Sequence, residues 1–208
     1  MFKLYARPGA GSAAVEGLLA ECGIAFEIID VLRGPDGTVP QSYQQINPRA
    51  EVPTLVLSDN SIMTESAAMM IYLADLHPAE GLAPSITSPL RARYLRWMLY
   101  FATAVYMADR RMYYPARHST DAAHAAGIKL KAIQDMERDF DIFAAELGEG
   151  PYILGQKMSA VDIYAAMIIS WVPDVAQLFA RHANIKRLYD LVAGRPLIAK
   201  VWARNEMP

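Results

Sequence analysis

Through residue 57 the chain alternates short apolar runs with helical stretches, and each change of period marks a new element. Phe2–Tyr5 reads as a strand, Ser12–Cys22 as a helix and Phe26–Val31 as a strand. A loop containing Gly34, Pro35, Gly37 and Pro40 follows. After the Val52-Pro53 dipeptide come a strand over Thr54–Leu57, a turn at Asp59-Asn60, a strand at Ser61–Met63 and a helix from Glu65 to about Asp75. The order is βαβ, loop, ββα. The next segment holds Pro78, Gly81 and Pro84 and reads as a linker, and beyond Ser88 no strand pattern returns. Pro89–Met112 and Asp121–Leu147 are long amphipathic stretches, Ile163–Val172 is apolar, and shorter helices are expected near Asp174–His182, Ile185–Ala193 and Pro196–Ala203. The pattern therefore predicts an α/β domain over residues 1–77, a linker over 78–88 and an all-helical domain over 89–208.

One signal in the second half is sharp. Ser159 and Asp162 have the S-x-x-D form of a capping box, with Asp in place of the more usual Glu, immediately before the apolar run. They are expected to start a buried helix, and Trp202 near the end is expected in the core.

Composition narrows the class. With 208 residues, 53% apolar and 20% charged, the chain can bury a substantial core. The longest apolar stretches fall far short of the roughly 20 residues that span a bilayer, and the glycines and charges after Leu4 leave no signal-like core, so a soluble, cytoplasmic protein without a membrane partner is expected. A net charge of −2 without any basic run argues against nucleic acid as a partner. Residues 1–77 carry four basic against nine acidic side chains and residues 78–208 sixteen against thirteen, an asymmetry that fits two domains. The single cysteine, Cys22, excludes an intrachain disulfide. His118 and His124 lack metal-ligand spacing with other His or Cys, so no metal is expected.

Candidate chemistry concentrates in EVPTLVLSDNSIMTESAAMMIYLADL, residues 51–76. Proline has no N–H and tolerates a cis bond, so Val52-Pro53 is a candidate tight turn at which Val52 offers its backbone N–H and C=O to an extended ligand. A helix starting at Ser66 presents unpaired N–H groups and a positive dipole end to a carboxylate, while Glu65 takes up an ammonium. A small zwitterionic peptide fits that arrangement.

This segment resembles the glutathione-binding half of the cytosolic glutathione transferases. The likeness extends through KLYARPGAGSAAVEGLLAECGI, NPRAEVPTL, TESAAMMIYLAD and GQKMSAVDIYAA in the family's order. It implies a thioredoxin-like N-terminal domain that binds glutathione as co-substrate, followed by an all-α domain that shapes the second-substrate pocket. It also implies a homodimer. Val52, Pro53, Glu65 and Ser66 match the family's binding residues, and Gly11, Arg49 and Glu51 are further candidates, the last two for the glycyl end. The RPGAGS loop is similar to that of the bacterial beta class, but Gly11 stands where that class has its cysteine.

A free thiol near pKa 8.5 is mostly protonated at neutral pH, so catalysis needs a group that stabilises the thiolate. Three candidates stay open. Ser12 follows the position of the missing cysteine and also suits a helix N-cap. Tyr5 stands where the tyrosine-type classes carry their phenol. The N–H groups of Ala10, Gly11 and Ser12 are the third. For the second substrate, a small hydrophobic electrophile, Tyr106, Arg110, Tyr113 and Tyr114 fall at i, i+4, i+7 and i+8, one helical face. Addition to an activated double bond, aromatic substitution and peroxide reduction all fit a bound thiolate. A non-catalytic binding or regulatory protein on the same fold is the alternative. A thiol-disulfide reductase is disfavoured because Cys22 lies about ten residues past the active-site turn.

Overall fold

The computed structural model describes residues 1–208. Strands β1 (Phe2–Ala6), β2 (Phe26–Asp30), β3 (Thr54–Val56) and β4 (Ile62–Met63) form one sheet in the order β2-β1-β3-β4. β1 runs parallel to β2 and antiparallel to β3, and β3 runs antiparallel to β4. Helix α1 (Ser12–Glu21) supplies the crossover between the two parallel strands, a short turn α2 (Gln41–Gln44) breaks the long loop, and α3 (Ser66–Leu76) follows β4. Alternation along β1 turns Leu4 and Ala6 inward, where they are fully buried with Leu55 of β3, Leu18 and Leu19 of α1, and Met69, Met70 and Leu73 of α3. This is the thioredoxin-like arrangement, a mixed sheet covered by helices.

By packing, the chain divides into Met1–Ser85 together with Ala193–Pro208, and Ile86–Val192. The division falls within the expected linker, but the end of the expected helical half returns to the first unit. The returning segment buries Ile198, Val201 and Trp202, and charge pairs fix its place. Helix α10 (Pro196–Arg204) packs on α1, and the Arg195 guanidinium donates twice to Glu21 at 3.0 and 2.5 Å. Arg204 donates to Glu16 at 3.0 Å and to Asp30 at 2.5 Å, and the Asn205 amide donates to Glu16 at 3.0 Å. Burial raises the Glu16 pKa, opposed by its bonds to Asn205 and Arg204. Trp202 is buried in this unit, as the sequence leads one to expect.

The second unit is helical throughout. The stretch expected over Pro89–Met112 is α4 (Arg91–Tyr100), a π-helical turn over Phe101–Val105 and α5 (Tyr106–Tyr113). Then come α6 (Ala125–Leu147), α7 (Ala160–Ile169), α8 (Val175–Arg181) and α9 (Ala183–Ala193). All ten residues of α7 are buried, as befits a helix apolar on every side. The capping box forms: Asp162 accepts from the Ser159 N–H and hydroxyl, both at 2.7 Å, and from the Ile153 N–H at 2.8 Å. No helix is long and apolar enough to cross a membrane.

Candidate functional site

Register brings three separated segments to one end of the sheet. Tyr5 pairs with Thr54 and Leu55 with Met63. Because β3 is antiparallel to both neighbours, its beginning lies beside the ends of β1 and β4. The loop after β1 (residues 7–11), the turn before β3 (49–53) and the step from β4 into α3 (64–66) therefore converge.

The first loop doubles back at Gly9, whose φ of +68° suits a residue without a Cβ. Gly11 occupies the N-cap position of α1 and Ser12 the first helical position, so the expected serine cap is displaced by one residue. Ser12 is 0% exposed. Its hydroxyl donates to the Arg7 carbonyl at 3.1 Å and accepts from the Arg7 N–H at 3.2 Å. A hydroxyl has one proton, and this one is committed to Arg7. The Ala10 N–H is likewise spent on the Arg7 carbonyl at 3.2 Å. Tyr5 is half-buried and lays its ring against that of Tyr43, centroids 5.4 Å apart at 36°.

In the turn before β3 the Val52-Pro53 bond is cis, Pro53 is buried and Val52 half-buried. Arg49 lies at the surface and pairs with Glu51 at 3.1 Å. Behind the turn sits a polar group that sequence reasoning did not single out: Tyr43, Asn47 and Thr54, all buried. They bond to one another and to the Glu51 carbonyl. The Asn47-Pro48 dipeptide was the available signal, since Asn before Pro favours a turn.

At the third segment Glu65 caps α3 with φ 67° and ψ 100°, a region that non-glycine residues seldom enter. Ser66 begins the helix and is buried, whereas Glu65 is exposed. A non-glycine residue held at positive φ carries on the order of 1–3 kcal/mol of strain and persists where surrounding structure dictates it, commonly at ligand sites.

Cys22 ends α1, buried, with burial and the neighbouring Glu80 and Glu21 pushing its thiol up to about 11. Such a thiol is inert at neutral pH.

In the helical unit Tyr106 is half-buried and packs on Trp171, centroids 5.1 Å apart. Arg110 is half-buried one turn on, and Tyr113 is 57% exposed. Tyr114 departs from the expected face: α5 ends at Tyr113, and Tyr114 takes φ −126° and ψ 51°, beneath the Arg117 guanidinium at 4.4 Å from its ring centroid. Pro115 is the reason, because a proline disfavours helical geometry in the residue before it. Also missed was Asp109, 7% exposed, which burial pushes up to about 7 against the opposing effect of Arg110. Its signal was an acid at core spacing among Val105, Ala108 and Met112. A cleft of about 140 Å³ elsewhere in this unit, lined by Ile133, Met136, Phe140, Val172, Leu178 and Arg181 among others, contains none of the expected pocket residues.

Comparison with known proteins agrees with this architecture. Residues 12–76 match the glutathione S-transferase N-terminal domain and residues 101–196 the C-terminal domain. The chain is 29% identical over 208 residues to an uncharacterized GST-like protein, YncG, of Escherichia coli strain K12, covering the whole of both. It is 27% identical over 198 residues to the glutathione S-transferase GstA of Escherichia coli O157:H7, covering 93% of this chain and 94% of that one. A glutathione transferase homolog from sulfitobacter, solved with bound glutathione, superposes with a TM-score of 0.89 at 26% identity over 98% of each chain. With both of its domain models matched in order along one chain, the protein belongs to the glutathione S-transferase family.

Proposed function

We propose that the protein is a cytoplasmic, homodimeric glutathione transferase that lowers the pKa of the glutathione thiol and delivers the thiolate to a small hydrophobic electrophile. The observation that carries this reading is the convergence of Tyr5, the Val52-Pro53 turn and Glu65-Ser66 at one end of the sheet. The γ-glutamyl carboxylate is received at the start of α3 by Ser66 and its ammonium by Glu65. Val52 pairs through its backbone with the cysteinyl portion beside Pro53, and Arg49 with Glu51 borders the glycyl end. The bound glutathione of the sulfitobacter relative supports the assignment of the ligand.

For thiol activation we favour Tyr5. Ser12 spends its proton on Arg7, whereas the Tyr5 ring is half-buried at the end of β1. A phenol that donates to sulfur stabilises the thiolate over the thiol and so shifts ionisation toward neutral pH. Gly11 and Ser12 head the helix behind it and add the positive end of the α1 dipole. The thiolate then attacks the electrophilic carbon: a C–S bond forms, and either a leaving group departs with its electron pair or a conjugated double bond takes up a proton. Within the helical unit, Tyr106, Arg110 and Tyr113 offer aromatic surface and a cation to an apolar electrophile, and Tyr114, turned off their face, is not counted with them.

Titration of glutathione into purified protein, followed by the ultraviolet thiolate band, tests this directly. The band is expected below the free-thiol pKa in wild type and in Ser12→Ala, and is expected to vanish in Tyr5→Phe with turnover reduced by about 100-fold. Loss of the band in Ser12→Ala alone would return that role to Ser12. Binding without a thiolate band in wild type would favour a non-catalytic binding protein. No binding would sink the assignments of Val52, Glu65 and Ser66.

A further inference from the structure

Thr54, Tyr43, Glu51 and Asn47 close a ring of hydrogen bonds whose protons can be assigned without ambiguity. The Tyr43 hydroxyl donates to the Glu51 carbonyl at 2.6 Å. Its single proton being used there, it must accept at its other contact, so the Thr54 hydroxyl, 2.8 Å away, donates to it. The Asn47 amide donates one hydrogen to the Glu51 carbonyl at 2.8 Å and the other to the Thr54 hydroxyl oxygen at 3.0 Å. Each proton serves once, and the Glu51 carbonyl has both lone pairs filled. Asn47 is tied in turn by its own carbonyl, which accepts from the Arg49 N–H at 3.1 Å. Tyr43 is 3%, Asn47 4% and Thr54 0% exposed, so water does not compete for these bonds. Burial, ahead of all other causes, raises the Tyr43 pKa and keeps its phenol a donor.

The direction of that carbonyl matters because a peptide unit is a rigid plane. The Glu51–Val52 bond is trans, since the cis bond in the chain is the one that follows it. In a trans unit the C=O and the next N–H point in opposite directions. Two buried donors that draw the Glu51 oxygen toward the interior therefore turn the Val52 N–H the other way. We propose that Tyr43, seconded by Asn47 and Thr54, is a positioning residue for glutathione: by holding the Glu51 carbonyl it aims the Val52 backbone at the cysteinyl portion of the ligand. This rests on the glutathione reading above. The side chains of Tyr43, Asn47 and Thr54 are buried behind the turn, so their influence on the ligand passes through one peptide plane. Tyr43 has a second means of influence, because its ring supports that of Tyr5.

The test is Tyr43→Phe, which keeps the supporting ring and removes the hydroxyl. The glutathione Kd, measured by calorimetry, is expected to rise about 5–10-fold, the effect of one lost hydrogen bond, whereas turnover at saturating glutathione falls no more than about twofold. Thr54→Val, which leaves Tyr43 bonded to Glu51 but removes the donor that orients it, is expected to raise Kd by less, and Thr54→Ser to restore it. A residue that served packing alone would lower the melting temperature and the active fraction without this split between Kd and turnover. A Kd within twofold of wild type in both Tyr43→Phe and Thr54→Val overturns the proposal and leaves the glutathione reading standing. Absence of glutathione binding in wild type overturns both. Should Tyr43→Phe fail to fold, the Thr54 pair decides.

Discussion

Replacing Asp162 with alanine is expected to destabilise the helical unit by about 2–6 kcal/mol, the cost of leaving two buried backbone N–H groups without partners. The carboxylate is 0% exposed and gathers three donors: the Ile153 N–H, the Ser159 N–H and the Ser159 hydroxyl. Alanine would leave two backbone N–H groups without partners in a place water does not reach, each a penalty of about 1–3 kcal/mol. Helix α7 cannot relax toward solvent to recover them, because all of its residues are buried. For a chain of this size the melting temperature should fall by about 10 °C. Ser159→Ala removes the hydroxyl that donates to the carboxylate and accepts from the Asp162 N–H, and is expected to lose only about 1–2 kcal/mol. Calorimetric melts of the two variants beside wild type check the ranking. Equal, small losses would mean that the carboxylate does not carry the start of α7.

What was legible in the sequence follows from how locally each feature is specified. The strands and helices of the first unit rest on period and punctuation within ten or so residues, and β1, α1, β2, β3, β4 and α3 all appear within a residue or two of their expected limits. The capping box was legible for the same reason, both of its members lying within one turn. Features set by distant partners were not. Helix α10 reads as one more helix of a helical half, and its return to the first unit buries Ile198, Val201 and Trp202 and brings Arg195, Arg204 and Asn205 to Glu16, Glu21 and Asp30 across most of the chain. The ring at Tyr43 closes over 11 residues through a loop whose glycines and prolines signal only irregularity. Ser12 illustrates a finer limit. The residue type and the position near a helix start were readable, but a shift of one place from N-cap to first helical residue turned its hydroxyl to Arg7.

The candidate site shows the same split. Backbone features at Val52, Pro53, Glu65 and Ser66 stand in short motifs, so their convergence at one sheet end could be anticipated from strand order alone. The groups that hold those features in place are buried polar side chains, and burial of a polar side chain is a property of the packed molecule. Asp109 belongs to this second kind.

Asp109→Asn is expected to reduce the fall in stability that wild type undergoes between pH 4 and 7, leaving the part that comes from Asp162, whose carboxyl burial pushes up to about 6. The folded pKa of Asp109 is pushed up to about 7 by burial, which penalises the charged form, while Arg110 opposes the shift. One carboxylate oxygen makes no hydrogen bond within the chain. Several neighbouring charges pair elsewhere: Asp135 of α6 takes Arg111 at 3.3 Å and Arg138 at 3.0 Å, Asp139 takes Arg138 at 2.8 Å, and Arg117 covers Tyr114. The unfolded chain releases this proton near pH 4, the ordinary value for aspartate. Between pH 4 and 7 the folded state thus binds more protons than the unfolded one, and stability falls as pH rises, by up to about 1.4 kcal/mol per unit. Above pH 7 both states are ionised and the loss levels off. Asparagine never ionises, so the stability difference between variant and wild type should grow in the variant's favour by about 3 kcal/mol from pH 4 to 8. Urea melts at four pH values across that range measure the slope. Parallel curves for the two proteins would show that the Asp109 carboxylate ionises as readily folded as unfolded, and that its burial on α5 is relieved in solution.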